Sequence, residues 1–304
     1  MLNPVIFDDF ILYNEQNKDD FFILKNNFTR IAGTGWRNCG TAKNFIFLKN
    51  NLNNEKYYLV SKYMNNGKEL TDNPYYPVFF QNKTNEFLIS ESGIVKNKNG
   101  EILPYYWAKY IENSCLLDLK DNNINNIFFT KYLKQQKQNS FYSTNSINQF
   151  NKLILTKTNE RQILNEIKNL KTKIFKGKNP EFLVSFSQGD LWGKDVFYLG
   201  EDNFKIIDWE WFCEDVPIGI DILDFLYAEE EGTGIELFKR FLDLEGFNIF
   251  RQSNFIADYT YRCNLLAFFI YRYFARFIIQ DGITVIEDIH NKNIIQFAET
   301  LLVE

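Results

Sequence analysis

The sequence predicts an α+β chain with a small antiparallel β-sheet lobe over residues 1–112 and a larger, mainly helical lobe over residues 113–304. Three observations carry this prediction. Short β-forming runs broken by Asn, Lys and Gly turns fill the first part. Apolar residues at helical spacing follow in the second. Asp190, Asp195 and Asp208 gather around the ends of one short hairpin. With 304 residues, 45% hydrophobic and 24% charged, the chain has an ordinary globular composition and enough length for two lobes.

Residues 44–48, 56–60, 86–90 and 102–107 read as strands of the first lobe. A glycine-containing stretch from Gly33 to Gly40 falls between the candidate first and second strands, where an ordinary hairpin turn accounts for it about as well as any anion-binding role. The last strand ends at Tyr110-Ile111-Glu112-Asn113, where the lobe boundary is placed. The polar segment from Lys131 to Asn151 reads as a surface loop or weakly ordered connection. Helical spacing then appears in Ile163, Leu164, Ile167, Leu170 and Ile174, with Thr158 and Asn159 as candidate caps and Gly177 and Pro180 as stops. That helix is expected to pack under the aspartate loop, its apolar stripe belonging to the core. Residues 196–199 and 204–207 read as two strands joined by the turn Gly200-Glu201-Asp202-Asn203, so Asp195 and Asp208 lie at the same open end. Residues 221–227 continue as a helix. The apolar run 265–279, interrupted by Arg272 and Arg276 and shorter than the roughly 20 residues that span a bilayer, reads as a buried helix.

Charge and special residues exclude several classes. A net charge of −5 and a pI near 5.3 argue against a broad nucleic-acid surface. Cys39, Cys115, Cys213 and Cys263 lack paired metal-ligand spacing and imply no disulfide framework, which fits a reduced, cytoplasmic setting. The acidic N-terminus lacks the features of a signal peptide. The single histidine, His290, has no partners for a His-based triad or a zinc site.

The aspartates are where the chemistry concentrates. Two carboxylates from separate chain segments can share one hard cation, and Mg²⁺ is usually held by one or two carboxylates with phosphate oxygens and waters. Asp190, in the turn before the hairpin, is placed to accept a proton from an attacking hydroxyl, which is the economy of phosphoryl transfer. The run Gln188-Gly189-Asp190-Leu191-Trp192-Gly193-Lys194-Asp195, then Ile207-Asp208-Trp209-Glu210 and Pro217-Ile218-Gly219-Ile220-Asp221, resembles the aminoglycoside phosphotransferase and choline kinase family. There the pattern is His-Gly-Asp-Leu, three residues, Asn, a hairpin, Ile-Asp-Trp/Phe-Glu, and a Pro followed by an Asp-Leu-like pair.

The resemblance implies a protein-kinase-like fold, ATP and Mg²⁺ as cofactors, and a small-molecule hydroxyl as acceptor. It makes Asp190 the catalytic base, Asp208 and Asp195 the metal ligands, and Asp221 a structural acid opening a helix. Gln188 stands where the family has His, which alters packing more than chemistry. Asp195 stands where it has Asn, keeping an oxygen ligand but adding charge. Lys194, four residues past Asp190, is expected to steady charge on the transferred phosphoryl group. For the nucleotide, the candidates are the Gly33, Gly35 and Gly40 amides, Lys62 after the strand ending at Ser61, and the hinge at Glu112. Lys49 is a poorer candidate, and no glutamate partner for Lys62 is evident.

Two further readings concern the acceptor. Glu229, Glu230 and Glu231 form a run that is ordinarily a solvated face but would suit a cationic acceptor. Trp192, Trp209 and Trp211 flank the aspartates, and aromatic faces hold quaternary ammonium groups or stack on sugars, although core packing explains most of the 17% aromatic content. The leading expectation is an ATP-dependent phosphotransferase acting on a sugar, glycan precursor or amino alcohol. Its rivals are a kinase-fold nucleotide-binding or scaffold protein without turnover, and a glycan-binding protein. Oligomeric state is not legible.

Overall fold

The first strand, β1 (Asp9–Asn14), buries Phe10, Leu12 and Asn14 and leaves Ile11 and Tyr13 half-buried, the two-residue period of a strand with one covered face. The computed structural model describes residues 9–14, 19–24, 28–33, 41–42, 45–61, 64–65, 68–69, 87, 92–111, 115–116, 122–138, 140–207, 209–229, 234–244 and 258–302. The chain divides into two compact units, Met1–Ser114 and Cys115–Glu304.

In the first unit, β1 is followed by β2 (Asp19–Leu24), β3 (Phe28–Gly33), β4 (Thr41–Ala42), β5 (Phe45–Asn50), β6 (Lys56–Ser61), β7 (Met64–Asn65), β8 (Lys68–Glu69), β9 (Ser92–Asn97) and β10 (Ile102–Lys109). The larger sheet runs β2-β1-β9-β10-β6-β5-β3 and every neighbouring pair is antiparallel. Phe10, Leu12, Leu48, Leu59, Val95 and Trp107 form its core, with Tyr57 and Leu103 packed against them. Trp107 alone removes roughly 150–250 Å² from water, worth roughly 4–6 kcal/mol of transfer free energy. Its indole N–H reaches the Tyr13 carbonyl at 3.4 Å.

Of the strand read at 86–90, only Phe87 is among the described residues, where it sits buried in a turn; the described strand that follows is β9. The glycine stretch also moves: Gly33 closes the third strand in chain order, because β1 and β2 form a hairpin ahead of it.

The second unit begins with β11 (Cys115–Leu116) and continues through α1 (Asn122–Gln138), β12 (Phe141–Ser143), α2 (Ser146–Lys157), α3 (Arg161–Phe175), β13 (Phe182–Ser187), β14 (Val196–Tyr198), β15 (Phe204–Ile206), β16 (Cys213–Pro217), α4 (Ile220–Glu229), α5 (Gly234–Leu242), α6 (Tyr259–Asp281) and α7 (Ile289–Leu301). Two small antiparallel sheets, β12-β13-β16 and β11-β14-β15, are embedded among these helices. The fully buried α6 stripe is the axis: α2, α3, α4, α5 and α7 all pack on it.

The region from 131 to 151 is therefore not a loop. It holds the end of α1, β12 and the start of α2. Composition misleads because α1 is polar on one side only: Phe128, Phe129, Tyr132, Leu133 and Gln136 recur at helical spacing and are buried. The helix at 161–175 forms as read, stopped by left-handed Lys176 and Gly177. It packs chiefly on α6 and α7. Among the described residues no helix is long and apolar enough to cross a membrane.

Candidate active site

All six residues of β13 are buried, and as the middle strand of its sheet it delivers Ser187, Gln188, Gly189 and Asp190 from a rigid base. The chain turns at Gly189, whose φ is +98°. A side chain there would also run into the Trp211 carbonyl, so both the backbone angle and the space require glycine.

The turn is held from below by Asp221, in the first turn of α4. Its Oδ1 accepts hydrogen bonds from the Ser187 hydroxyl at 2.6 Å and the Gly189 amide at 3.1 Å. Its Oδ2 accepts from the Tyr132 hydroxyl at 2.7 Å and the Gln188 amide at 3.1 Å. An acid at this end of a helix also meets the positive end of the helix dipole. Burial, with the Asp221 charge beside it, pushes the Tyr132 phenol well above its ordinary range, so Tyr132 remains a donor.

Gln188 binds the loop in a second direction. Its side-chain carbonyl accepts from the Asp190 amide at 2.8 Å, and its side-chain nitrogen donates to the Ile207 carbonyl at 3.1 Å. This glutamine thus ties the turn to the end of the hairpin, and no chemistry is asked of it.

Two arginines complete the surroundings. Arg272 Nη1 donates to the Ser187 hydroxyl at 2.9 Å and lies 3.7 Å from Asp221 Oδ1, while its Nη2 pairs with Asp224 Oδ2. Burial, and next the Arg276 charge, draw the Arg272 guanidinium down to about 10. Arg276, one turn later, donates Nη1 to the Gly189 carbonyl and Nη2 to Asp190 Oδ1 at 2.7 Å, with Asp224 Oδ1 3.5 Å from Nη1. Three carboxylates, Asp190, Asp221 and Asp224, thus face two guanidiniums in a site closed to water except at Asp190. The Asp190 side chain keeps 27% of its surface exposed and that of Arg276 only 4%.

Trp192 lies on the exposed side, half-buried, and its indole Nε1–H donates to Asp190 Oδ1 at 2.9 Å. Lys194 is exposed, with Nζ 4.4 Å from the centre of the Trp192 ring. Gly193–Asp195 forms a 3-10 turn in which the Asp195 amide bonds the Trp192 carbonyl at 2.9 Å. The Asp195 side chain is buried, and its carbonyl accepts from the Ile207 amide at 2.9 Å, closing the hairpin in the register Val196↔Ile206. Trp209 and Trp211 are buried, the latter with Lys157 Nζ 5.0 Å from its ring centre, so both belong to the core. The Cys213 thiol is pushed up to about 12, chiefly by burial.

Of the residues the sequence singles out, Asp190, Lys194 and Asp195 come together in one loop, and Gly33 ends β3 in the other unit. Asp208, Lys62, Gly35, Gly40 and Glu112 lie outside the described residues. Among the described residues no group of three His, Cys, Asp or Glu side chains forms a metal cluster. Sequence reasoning missed Arg272, Arg276 and Asp224. Their signal was present as two arginines four apart in an apolar helix, on one face, and buried arginines require acids opposite them.

No family model matches the chain, and no curated protein matches it significantly. Solved structures do. A thermostable mutant of the aminoglycoside phosphotransferase APH(4)-Ia is similar over 90% of this chain and 92% of its own, at 10% identity and a TM-score of 0.50. The choline kinase LicA from Streptococcus pneumoniae covers 90% and 92% at 14% identity and a TM-score of 0.49. An ethanolamine kinase from Plasmodium vivax covers 91% and 81% at 14% identity and a TM-score of 0.44. The likeness to the aminoglycoside phosphotransferase structure shows that the chain has a protein-kinase-like α+β fold.

Proposed function

We propose that the protein is a Mg²⁺- and ATP-dependent phosphotransferase acting on a hydroxyl group of a small molecule. One observation carries the reading. Asp190 is the exposed member of an otherwise buried charge network, its loop fixed on two sides by Asp221 and Gln188. A carboxylate so placed orients an acceptor hydroxyl and takes its proton as the hydroxyl oxygen bonds to the γ-phosphorus and the bridging bond to ADP breaks.

The donor set fits the cation. Asp195 offers hard carboxylate oxygen, and its backbone bond to Ile207 joins the two segments that carry Asp195 and Asp208. These two residues would hold Mg²⁺, which when bound supplies neutralisation of phosphate charge. Lys62, the amides of Gly33, Gly35 and Gly40, and the hinge at Glu112 would hold ATP, and Lys194 would steady the transferred group. The acceptor class is a sugar, glycan precursor or amino alcohol, in keeping with the aminoglycoside phosphotransferase and choline kinase named among the similar structures. Such a protein works where ATP is abundant, in the cytoplasm.

The test is ATP consumption over sugars, aminoglycosides and amino alcohols with and without Mg²⁺. Asp190→Asn is expected to keep nucleotide binding while turnover falls by orders of magnitude. Unchanged turnover in that variant overturns the assignment of the base, and Mg²⁺-dependent ATP binding without turnover by the natural chain favours a scaffold instead.

A further inference from the structure

The two oxygens of the Asp190 carboxylate are not equivalent. Oδ1 accepts two charge-assisted or strongly polar donors, Arg276 Nη2 at 2.7 Å and Trp192 Nε1 at 2.9 Å. Oδ2 accepts no hydrogen bond among the described residues. The donors arrive from different directions: Trp192 from the loop two residues on, Arg276 from α6, far away in sequence. A carboxylate held by one donor still rotates about its Cβ–Cγ bond. Two donors on the same oxygen leave a single orientation, with Oδ2 turned away from both.

We infer that Arg276 and Trp192 are positioning residues that clamp Asp190 through Oδ1 and make Oδ2 the one proton-accepting oxygen. The inference rests on the phosphotransferase reading and adds to it which oxygen works and what aims it. Arg276 suits the task because its guanidinium also bonds the Gly189 carbonyl, so one planar group fixes the loop backbone and the loop's side chain together. Its own place is set by Asp224, 3.5 Å from Nη1, and by near-complete burial. Lys194 extends the arrangement outward, stacked over the ring whose N–H holds Asp190.

Positioning differs from mere structural support in what its loss changes. Trp192→Phe keeps an aromatic ring beside Lys194 and removes the N–H donor. Arg276→Lys keeps the charge but cannot bond the Gly189 carbonyl and Asp190 Oδ1 in the same planar geometry. Each variant is expected to lower kcat about 10- to 100-fold, as loss of reactant alignment does, while KM for ATP and KM for the acceptor stay close to those of the natural chain; the thermal midpoint is expected to stay close in Trp192→Phe. Turnover is followed with whichever panel alcohol the natural chain phosphorylates, or as slow MgATP hydrolysis with water as the acceptor.

A second readout needs no turnover. In the ¹H–¹⁵N spectrum of the full chain, the indole signal lost in Trp192→Phe identifies Trp192. Its N–H is expected to be protected from exchange in the natural chain and to lose protection in Asp190→Ala. If both variants keep natural kcat while Asp190→Asn is inactive, the clamp is wrong and the phosphotransferase reading stands. If Asp190→Asn is as active as the natural chain, that reading fails, and the indole protection alone decides the clamp: an unprotected Trp192 N–H overturns it.

Discussion

Gly189 shows how much a single position decides. Its φ of +98° lies in a region that side chains avoid, and the Trp211 carbonyl occupies the place of a Cβ. Gly189→Ala is therefore expected to destabilise the fold by at least about 1–3 kcal/mol, the cost of a residue held in such a conformation. It should also displace Asp190, which follows directly. A urea titration of the variant against the natural chain measures the shift, and coincident midpoints would refute the argument. Neighbouring residues divide their legibility sharply. Asp190 was readable because a glycine-aspartate turn between a buried strand and a hairpin is a local pattern. Arg276, which touches the same carboxylate, was not, because the contact joins residues far apart in sequence. Gln188 lies between these cases: its position in the motif was legible, while its two hydrogen bonds, to the Asp190 amide and the Ile207 carbonyl, needed coordinates.

At the level of elements, α6 and α4 meet through charge inside an otherwise apolar packing. Arg272 and Arg276 are four residues apart on α6, and Asp221 and Asp224 three apart on α4, so each pair shares a face and the faces oppose. Removing one partner of such a network leaves an uncompensated buried charge, which costs about 3–5 kcal/mol. Arg272→Met is expected to lower stability by that amount. The double variant Arg272→Met with Asp224→Leu is expected to recover much of it, since two apolar groups of similar size replace the pair. Chemical denaturation of the two single variants and the double gives the coupling, and a loss in the double equal to the sum of the singles would show that the residues do not act together. The apolar run at 265–279 reads correctly as a buried helix, but its arginines register in the sequence only as interruptions. In α1 the error runs the other way. Asn, Gln and Lys conceal a helix whose buried face includes Gln136, its side-chain nitrogen donating to the Phe186 carbonyl at 2.7 Å, and composition carries no account of a polar side chain that finds such a bond in the interior.

Across the whole second unit, aromatic rings link elements that are distant in the chain. Phe128 of α1 meets Phe204 of β15, Tyr132 meets Phe186 of β13, Phe182 meets Phe268 of α6, and Tyr271 of α6 receives Phe150 of α2 and Phe175 of α3 edge-on. The high aromatic content is thus spent mainly on the core, and this was legible in composition although the pairings were not. The use of tyrosine in that core has a consequence for pH. Burial pushes Tyr132, Tyr261, Tyr271 and Tyr273 above the ordinary phenol value of 10.0, and Cys213 from 9.0 to about 12. Each of these groups is an acid whose folded pKa is raised. The unfolded chain gives up its protons first, from about pH 9 for the thiol and about pH 10 for the phenols, while the folded chain keeps them. The unfolded state then binds fewer protons, so the free energy of unfolding falls as pH rises through this range. The protein is expected to hold a constant denaturation midpoint from neutral pH to about pH 9 and to lose stability progressively between about pH 9 and about pH 11. Tyr261→Phe, which keeps the ring and gives up a long 3.3 Å bond to the Leu183 carbonyl, should flatten that decline. Urea midpoints measured at several pH values for both chains decide the matter: a midpoint that stays level to about pH 11, or a decline equally steep in the variant, would show that the buried hydroxyls do not govern alkaline stability.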